Sequence, residues 1–215
     1  MGRGGGGRRG TQHLQRPDDP RVRQGLRRPV AGLIALLRDH GEGSPLPGYR
    51  VHNGALSAPC AHPGGLLAAT QTTASWVSEL SPGGDRHLAT GTAAPCTSVF
   101  LPIAVDHPLP LGPAPTGVVD GSSWWWRHET VHRRAIADAA RWLPRIEVDR
   151  SAVEQAVLAG TVDGGEALAV VTALRERWRE HLDADPPADT RPPLVRRYWQ
   201  VRERAAGRAG RSRLR

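Results

Sequence analysis

The sequence predicts an α+β protein in which antiparallel strands are followed by packed helices. Residues 65–105 are rich in threonine and β-branched residues and are divided by turn signals, which is typical of short strands. From residue 122 onward, apolar residues recur at helical spacing. Strands followed by a run of helices indicate helices that are layered on an antiparallel sheet.

Three segments are expected along the chain. Residues 1–25 are rich in glycine and arginine, bury no apolar surface and predict a disordered tail. Residues 26–185 predict the α+β domain. Residues 186–215, which begin in the helix-breaking stretch "DPPADTRPP", predict a basic and weakly anchored helical tail.

The individual elements follow from local patterns. "RPVAGLIALLRDHG" predicts a short helix that begins near Pro29 and ends at Gly41. "GLLAATQTTASWVSEL" predicts one long or two short strands, and "RHLATGTAAPCTSVFLPIAV" predicts two more, interrupted near Pro95. Residues 123–143 predict one helix, and further helices are predicted in "DRSAVEQAVLAG", "DGGEALAVVTALRERWREHLDAD" and "LVRRYWQVRERAA".

The formal net charge of +8 is concentrated at the two ends of the chain. Residues 1–29 carry eight arginines and two aspartates, and residues 191–215 carry nine arginines and one glutamate, so the body between them is acidic. The chain contains no lysine. This distribution does not favour nucleic-acid binding by the body, but a non-enzymatic interaction module with basic tails is one alternative.

No stretch approaches the ~20 apolar residues that a membrane span needs. The N-terminal arginines are not followed by the apolar stretch of a secretory signal. We therefore expect a cytoplasmic protein with no membrane partner.

The sharpest catalytic motif is His-Glu-x-x-His, inside "WWWRHETVHRRA". On a helix this spacing places two histidine ligands on one face, and in zinc peptidases the glutamate activates metal-bound water. At about 100° per residue, His128 and His132 fall on the same inward side as Trp124. A zinc metallopeptidase that uses His128, Glu129 and His132 is therefore a second alternative.

Two departures weaken the zinc-peptidase hypothesis. Arg133 follows the second histidine, where such enzymes carry an uncharged residue, and Ala135 stands where a metzincin has the glycine that turns the chain toward its third ligand. Glu154, on the next predicted helix, is the remaining candidate for a third ligand. We interpret the two histidines as packed on a core face, and we predict no metal and no cofactor.

Cys60 and Cys96 are the only two cysteines. They are too few for a disulfide framework or for a cysteine-based zinc cluster. Buried thiols, a single bridge and reactive groups remain open for the pair. Cys96, between Pro95 and Thr97, is expected to be a packed thiol at a strand boundary.

Five segments, in this order, carry a resemblance to a known family: "LLRDHG", "SAPCAHPGG", "TQTTASWVSEL", "LATGTAAPCTSVFLP" and "SSWWWRHETVHRRAIAD". The region from about residue 26 to 160 resembles the secernin-like cysteine dipeptidases, which are N-terminal-nucleophile hydrolases. The resemblance implies part of an αββα sandwich, with two antiparallel sheets between helical layers. It also implies hydrolysis of small peptides or related amides.

The same resemblance implies that the nucleophile is missing. In that family a cysteine near the N-terminus of the mature chain attacks the carbonyl, and its own α-amino group serves as the base. The matched segments resemble the second half of such an enzyme, and neither cysteine here stands at the nucleophile position. We therefore expect a C-terminal fragment that has no catalytic residue and is inactive alone. Its implied partners are a small peptide substrate and either a separate N-terminal half or a second copy of the chain.

Four residues are candidates for substrate binding. Because the central strands of this family reach the substrate cleft, the hydroxyl groups of Thr73, Ser75 and Ser98 are expected to donate hydrogen bonds there. His62, in a Pro/Gly-rich loop, is expected to line the same cleft. The alternative for each is structural, since threonine suits strands and a loop histidine is commonly exposed.

Overall fold

The computed structural model describes residues 29–50, 56–64 and 70–207. The elements in chain order are helix α1 (Val30–Leu37), strands β1 (Trp76–Glu79), β2 (Arg86–Ala89) and β3 (Leu101–Ile103), helix α2 (Trp124–Ala135), the 3-10 turn Ile136–Asp138, and helices α3 (Ala139–Ala159), α4 (Gly164–Ala184) and α5 (Pro193–Ala205). The α+β class predicted from the sequence is confirmed. The predicted tail over residues 1–25 and the last eight residues of the basic tail lie outside the described residues.

The three described strands form one antiparallel sheet in the order β1-β2-β3. Trp76 pairs with Ala89, and Ala89 pairs in turn with Leu101, so β2 is the central strand. The two strands predicted on either side of Pro95 are β2 and β3. The loop between them, residues 90–100, carries several of the side chains that form the site described below.

Different helices pack against different strands of this sheet. α1 contacts β1, whereas α3 and α4 contact β3. The first turn of α4 lies directly against the sheet, because a Cβ atom built on Gly164 would lie 2.7 Å from the carbonyl oxygen of Pro102. The shared core is apolar and aromatic, and its most deeply buried members include Leu88, Phe100, Val131, Trp142, Ile146 and Leu182.

One predicted helix boundary is wrong. We predicted a single helix over residues 123–143 and a separate one over 149–160, but the break lies earlier, at the 3-10 turn Ile136–Asp138. From there α3 runs to Ala159 and includes Pro144 near its start, where the proline removes one intrahelical hydrogen bond. Neither glycine nor proline marks the true break, which is why the sequence pattern did not show it.

The last two helices were placed correctly. α4 begins with a capping box in which the Asp163 side chain accepts from the Glu166 N–H and the Glu166 carboxylate accepts from the Asp163 N–H. α5, predicted as weakly anchored, buries Val195 and Trp199 against Ile136. None of the helices in the described ranges combines the length and the apolar character that a membrane crossing needs.

Candidate metal centre

Four buried side chains from three loop segments converge on one point: His40, Cys60, His62 and Cys96. Their ligand atoms, two imidazole nitrogens and two sulfurs, all lie within 4.8 Å of one another. Within residues 29–50, 56–64 and 70–207, no other group of three or more His, Cys, Asp or Glu side chains converges in this way.

The centre of the cluster is the Nε2 atom of His62. It lies 3.2 Å from His40 Nε2, 3.5 Å from Cys60 Sγ and 3.5 Å from Cys96 Sγ. An imidazole nitrogen makes one hydrogen bond in the plane of its ring, either as donor or as acceptor. Three such contacts to a single nitrogen therefore exceed what hydrogen bonding explains.

The same distances are close to the edges of a zinc tetrahedron. Zinc lies about 2.0–2.1 Å from an imidazole nitrogen and about 2.3 Å from a thiolate sulfur. Tetrahedral angles then separate two nitrogen ligands by about 3.3 Å, and a nitrogen from a sulfur by about 3.5 Å. The contacts of His62 therefore have the spacing that a shared cation requires.

Backbone hydrogen bonds bring the three loop segments together. The Cys60 N–H donates to the carbonyl of Asp39 at 3.0 Å, which joins the Cys60–His62 segment to the turn after α1. Thr72 joins that segment to the third loop. Its Oγ1 accepts from the Ala61 N–H at 3.0 Å, and its carbonyl accepts from the Ala94 N–H at 2.8 Å.

The turn that carries Cys96 is held by an arginine at the end of α1. Arg38 donates from Nε to the carbonyl of Pro95 at 2.8 Å and from Nη2 to the carbonyl of Ser98 at 3.0 Å. Glu154 on α3 pairs with the guanidinium of Arg38 through both of its carboxylate oxygens. This carboxylate was the remaining candidate for a third ligand in a zinc peptidase, and here it fixes the orientation of Arg38.

Two further contacts from α3 complete this support. Glu154 also accepts the Phe100 N–H at 2.9 Å. Arg150, one turn earlier, donates to the carbonyl of Cys96. The backbone around Cys96 is thus held by a buried ion pair and by arginine donors that bind the carbonyls of Pro95, Cys96 and Ser98.

The imidazole of His62 is held from the side of α2. Its ring stacks on the ring of His132 with centroids 5.3 Å apart. The Nδ1 atoms of His40 and His62 have no hydrogen-bond partner in the part of the chain that the structure describes. Packing against His132, rather than a hydrogen bond to Nδ1, therefore orients the His62 ring.

Burial changes the protonation equilibria in this region. It raises the pKa of the Cys60 thiol to about 11, and the neighbouring Cys96 adds to the effect. A divalent cation has the opposite influence, because the thiolate is the form that binds it. Burial, with Arg175 as a smaller contributor, lowers the pKa of His128 to about 3, and burial also lowers the pKa of His132.

The His-Glu-x-x-His residues have hydrogen-bonding partners of their own. His128 and His132 are buried and face inward, as predicted. Thr97 Oγ1 lies between them, 3.2 Å from His128 Nε2 and 2.9 Å from His132 Nδ1. Glu129 accepts from Arg133 Nε at 2.6 Å. This arrangement does not favour a metal held by the motif itself.

The structure brings two of the four predicted substrate-binding residues into this region. His62 is the central member of the cluster, and Ser98 is buried two residues after Cys96. Thr73 is exposed, and Ser75 is buried just before β1. Neither of these two makes a hydrogen bond to the cluster within the described structure, so their role in substrate binding stays a prediction.

The sequence did not lead us to His40 as a ligand. The two cysteines were judged too few for a cysteine-based zinc cluster, and their combination with histidines was not considered. The local pattern Cys60-x-His62 already supplies two ligands, and it is the signal that the sequence offered. The other two ligands lie 22 and 34 residues from His62. The predicted absence of a metal stays a prediction, which this geometry does not favour.

No known family model matches the chain, and no curated protein or solved structure is significantly similar to it. The resemblance to secernin-like dipeptidases therefore rests on the five quoted segments.

Proposed function

We propose that this chain binds one Zn²⁺ ion through His40, Cys60, His62 and Cys96, and that the ion stabilises the surrounding fold. The observation that carries the proposal is the set of three contacts made by His62 Nε2, at 3.2, 3.5 and 3.5 Å. Their number exceeds the hydrogen-bonding capacity of the atom, and their lengths match a tetrahedral site.

The donor set favours zinc and a structural role. Two thiolates and two imidazoles at tetrahedral spacing are the ligands that Zn²⁺ prefers among the common divalent ions. Four protein ligands fill the coordination sphere, whereas catalytic zinc sites keep one position open for water or substrate. The cluster is buried, which is also typical of a structural site.

Zinc would add stability where the fold is least regular. The ligands come from three loop segments around residues 40, 60 and 96, which lie outside the helices and strands. Because an unfolded chain does not hold such a site, the binding free energy adds to the free energy of unfolding. Chelation of the metal is therefore expected to lower the thermal midpoint of unfolding.

Elemental analysis of the purified full chain tests the proposal. We expect one zinc per chain, and we expect Co²⁺ substitution to give the visible absorption of a tetrahedral site with thiolate ligands. Cys96→Ser and His62→Ala should each weaken binding strongly. Circular dichroism at low temperature shows whether a variant that loses zinc remains folded.

Two control variants separate this site from other histidines. His107→Ala removes an exposed imidazole and should leave the zinc content unchanged. His128→Ala should retain zinc at one equivalent, whereas a zinc peptidase built on the His-Glu-x-x-His motif would lose it. A wild-type chain that binds no zinc, or a Cys60→Ser/Cys96→Ser chain that keeps it, would contradict the proposal.

A second proposal concerns the resemblance to secernin-like dipeptidases. We infer that the chain is the C-terminal part of such an amide hydrolase, in a partial αββα sandwich, and that it is inactive alone. Each of the five quoted segments contributes at least one residue to the cluster or to its immediate support, among them His40, Cys60, Thr72, Cys96 and His132. Segments that share one buried centre are expected if they belong to one functional unit, which supports the proposal.

An activity assay addresses this second proposal. The chain alone is expected to show no dipeptide hydrolysis, because the nucleophilic cysteine and its free α-amino group are missing. Hydrolysis that thiol alkylation abolishes would contradict it. The cytoplasmic location, the small-peptide substrate and a partner that is either a separate N-terminal half or a second copy belong to the same proposal.

A further inference from the structure

A cavity reaches the cluster from the side of α1 and α3. It has a volume of about 430 Å³ and lies between α1, the turn that follows it, and α3. Two of the four candidate ligands, His40 and Cys96, line its wall, whereas Cys60 and His62 do not. Cys60 has no exposed surface, and Cys96 retains 5%. The two sulfurs are therefore unequal in their access to a small molecule.

Charged side chains form part of the wall of this cavity. Arg38 and Arg150 line it together with Glu147 and Glu154. Because charges of both signs are present and Arg38 is already paired with Glu154, the cavity does not select a large anion or cation. A small, neutral and polar molecule is the kind of reagent that such a passage admits to the Cys96 sulfur.

We propose that Cys96 is an oxidation site at which a hydroperoxide entering through this cavity starts the conversion of the cysteine pair to a disulfide. The inference rests on the proposed zinc site for its consequence, which is release of the metal. The second sulfur is in place, since Cys60 Sγ and Cys96 Sγ lie within 4.8 Å of each other.

The oxidation proceeds in two steps. The Cys96 thiolate attacks one oxygen of hydrogen peroxide, so that an S–O bond forms, the O–O bond breaks, and the departing hydroxide takes a proton to become water. The Cys60 sulfur then attacks the Cys96 sulfenic acid. An S–S bond forms, the S–O bond breaks, and the departing hydroxide takes a proton from solvent to become a second water. The two sulfurs together lose two electrons, and one peroxide with two protons is reduced to two waters.

The disulfide supplies no thiolate to the metal. Only the two imidazoles of His40 and His62 remain, which is half of a zinc ligand set. Oxidation is therefore expected to release zinc in equal amount to the disulfide formed.

Hydrogen peroxide and the full chain provide the test. In the zinc-loaded wild type we expect an intact mass lower by two hydrogens, a Cys60–Cys96 disulfide in peptide mapping, and zinc release in proportion. In Cys60→Ser a sulfenic-acid trap should label Cys96, whereas in Cys96→Ser the same dose should leave Cys60 unlabelled. Equal or faster labelling of Cys60, or no disulfide in the wild type, would overturn the inference.

A blocked cavity tests the route. Ala35→Phe places a large ring on the cavity wall and should slow disulfide formation several-fold, whereas Ala140→Phe, exposed on α3 and away from the cavity, should not. Oxidation of Ala35→Phe at the wild-type rate would overturn the proposed route. A chain that forms the disulfide but never binds zinc would refute the proposed function and leave the oxidation site standing.

Discussion

Glu154→Gln tests the buried ion pair that supports the Cys96 turn. Glu154 pairs with Arg38 through both oxygens and also accepts the Phe100 N–H at 2.9 Å. Removing one partner of a buried pair costs about 3–5 kcal/mol. Glutamine keeps one acceptor oxygen, and the Arg38 side chain is 14% exposed, so we expect a loss of about 2–3 kcal/mol in the free energy of unfolding.

This loss has two measurable consequences. In a domain of this size, 1 kcal/mol shifts the unfolding midpoint by about 2–4 °C, so calorimetry should show a fall of about 4–12 °C. Because Arg38 also fixes the carbonyls on either side of Cys96, zinc affinity should fall about 10–100-fold, the range found for outer-shell partners of a metal. A competition titration with a chromogenic chelator measures this affinity.

Glu147→Gln is the matched control. Glu147→Gln changes a carboxylate on the same helix that is 65% exposed and lies 3.9 Å from Arg150, and it should alter stability by less than about 0.5 kcal/mol. An unchanged midpoint for Glu154→Gln would refute the assigned ion pair. Complete loss of zinc from a folded Glu154→Gln chain would identify Glu154 as a ligand, as the zinc-peptidase alternative requires.

Two further predictions concern packing and pH. Gly164→Ala should lower the free energy of unfolding by about 1–3 kcal/mol, because its Cβ would lie 2.7 Å from the Pro102 oxygen. Gly165→Ala is the control and should not lower it, because the Cβ there would make only ordinary contacts. Urea denaturation measures the free energy of unfolding of both variants. The pKa of His128 is about 3 in the folded chain and about 6.5 when unfolded, so the unfolded state binds more protons between these values. Stability should therefore fall as pH is lowered from about 6.5 towards 3, by up to about 1.4 kcal/mol per pH unit. Acid denaturation of His128→Gln should show a shallower dependence than that of His107→Gln, and equal slopes would contradict the assignment.

Local sequence patterns predicted elements well where local forces decide them. The stretch "DGGEALAVVTALRERWREHLDAD" predicted α4, and the structure shows that Asp163 and Glu166 form a capping box at its start, which acts within one turn. The spacing of apolar residues in α2 predicted which of its faces is buried. That prediction placed His128 and His132 on the buried face, where the structure has them. The 3-10 turn Ile136–Asp138 was missed because tertiary packing, and neither glycine nor proline, interrupts the helix there.

Local patterns did not predict which residues form the candidate site. The motif with the strongest catalytic signature, His-Glu-x-x-His, supplies a stacking surface and hydrogen bonds to Thr97. The residues that converge on one point had been assigned separately, His62 to substrate binding and Cys96 to core packing. The composition of this centre depends on which side chains meet in the folded chain, and the spacing of residues along the sequence does not contain that information.

By itself the sequence determined the α+β class, the order of strands and helices, and which face of α2 is buried, because periodicity, capping and turn formation act over a few residues. Only the tertiary structure decided that His40, Cys60, His62 and Cys96 share one centre. Two sets of contacts bring those loops together. One is the set of hydrogen bonds made by Thr72, and the other is the ion pair of Arg38 with Glu154, two residues that lie 116 positions apart. Contacts at that separation are set by the packing of the whole domain.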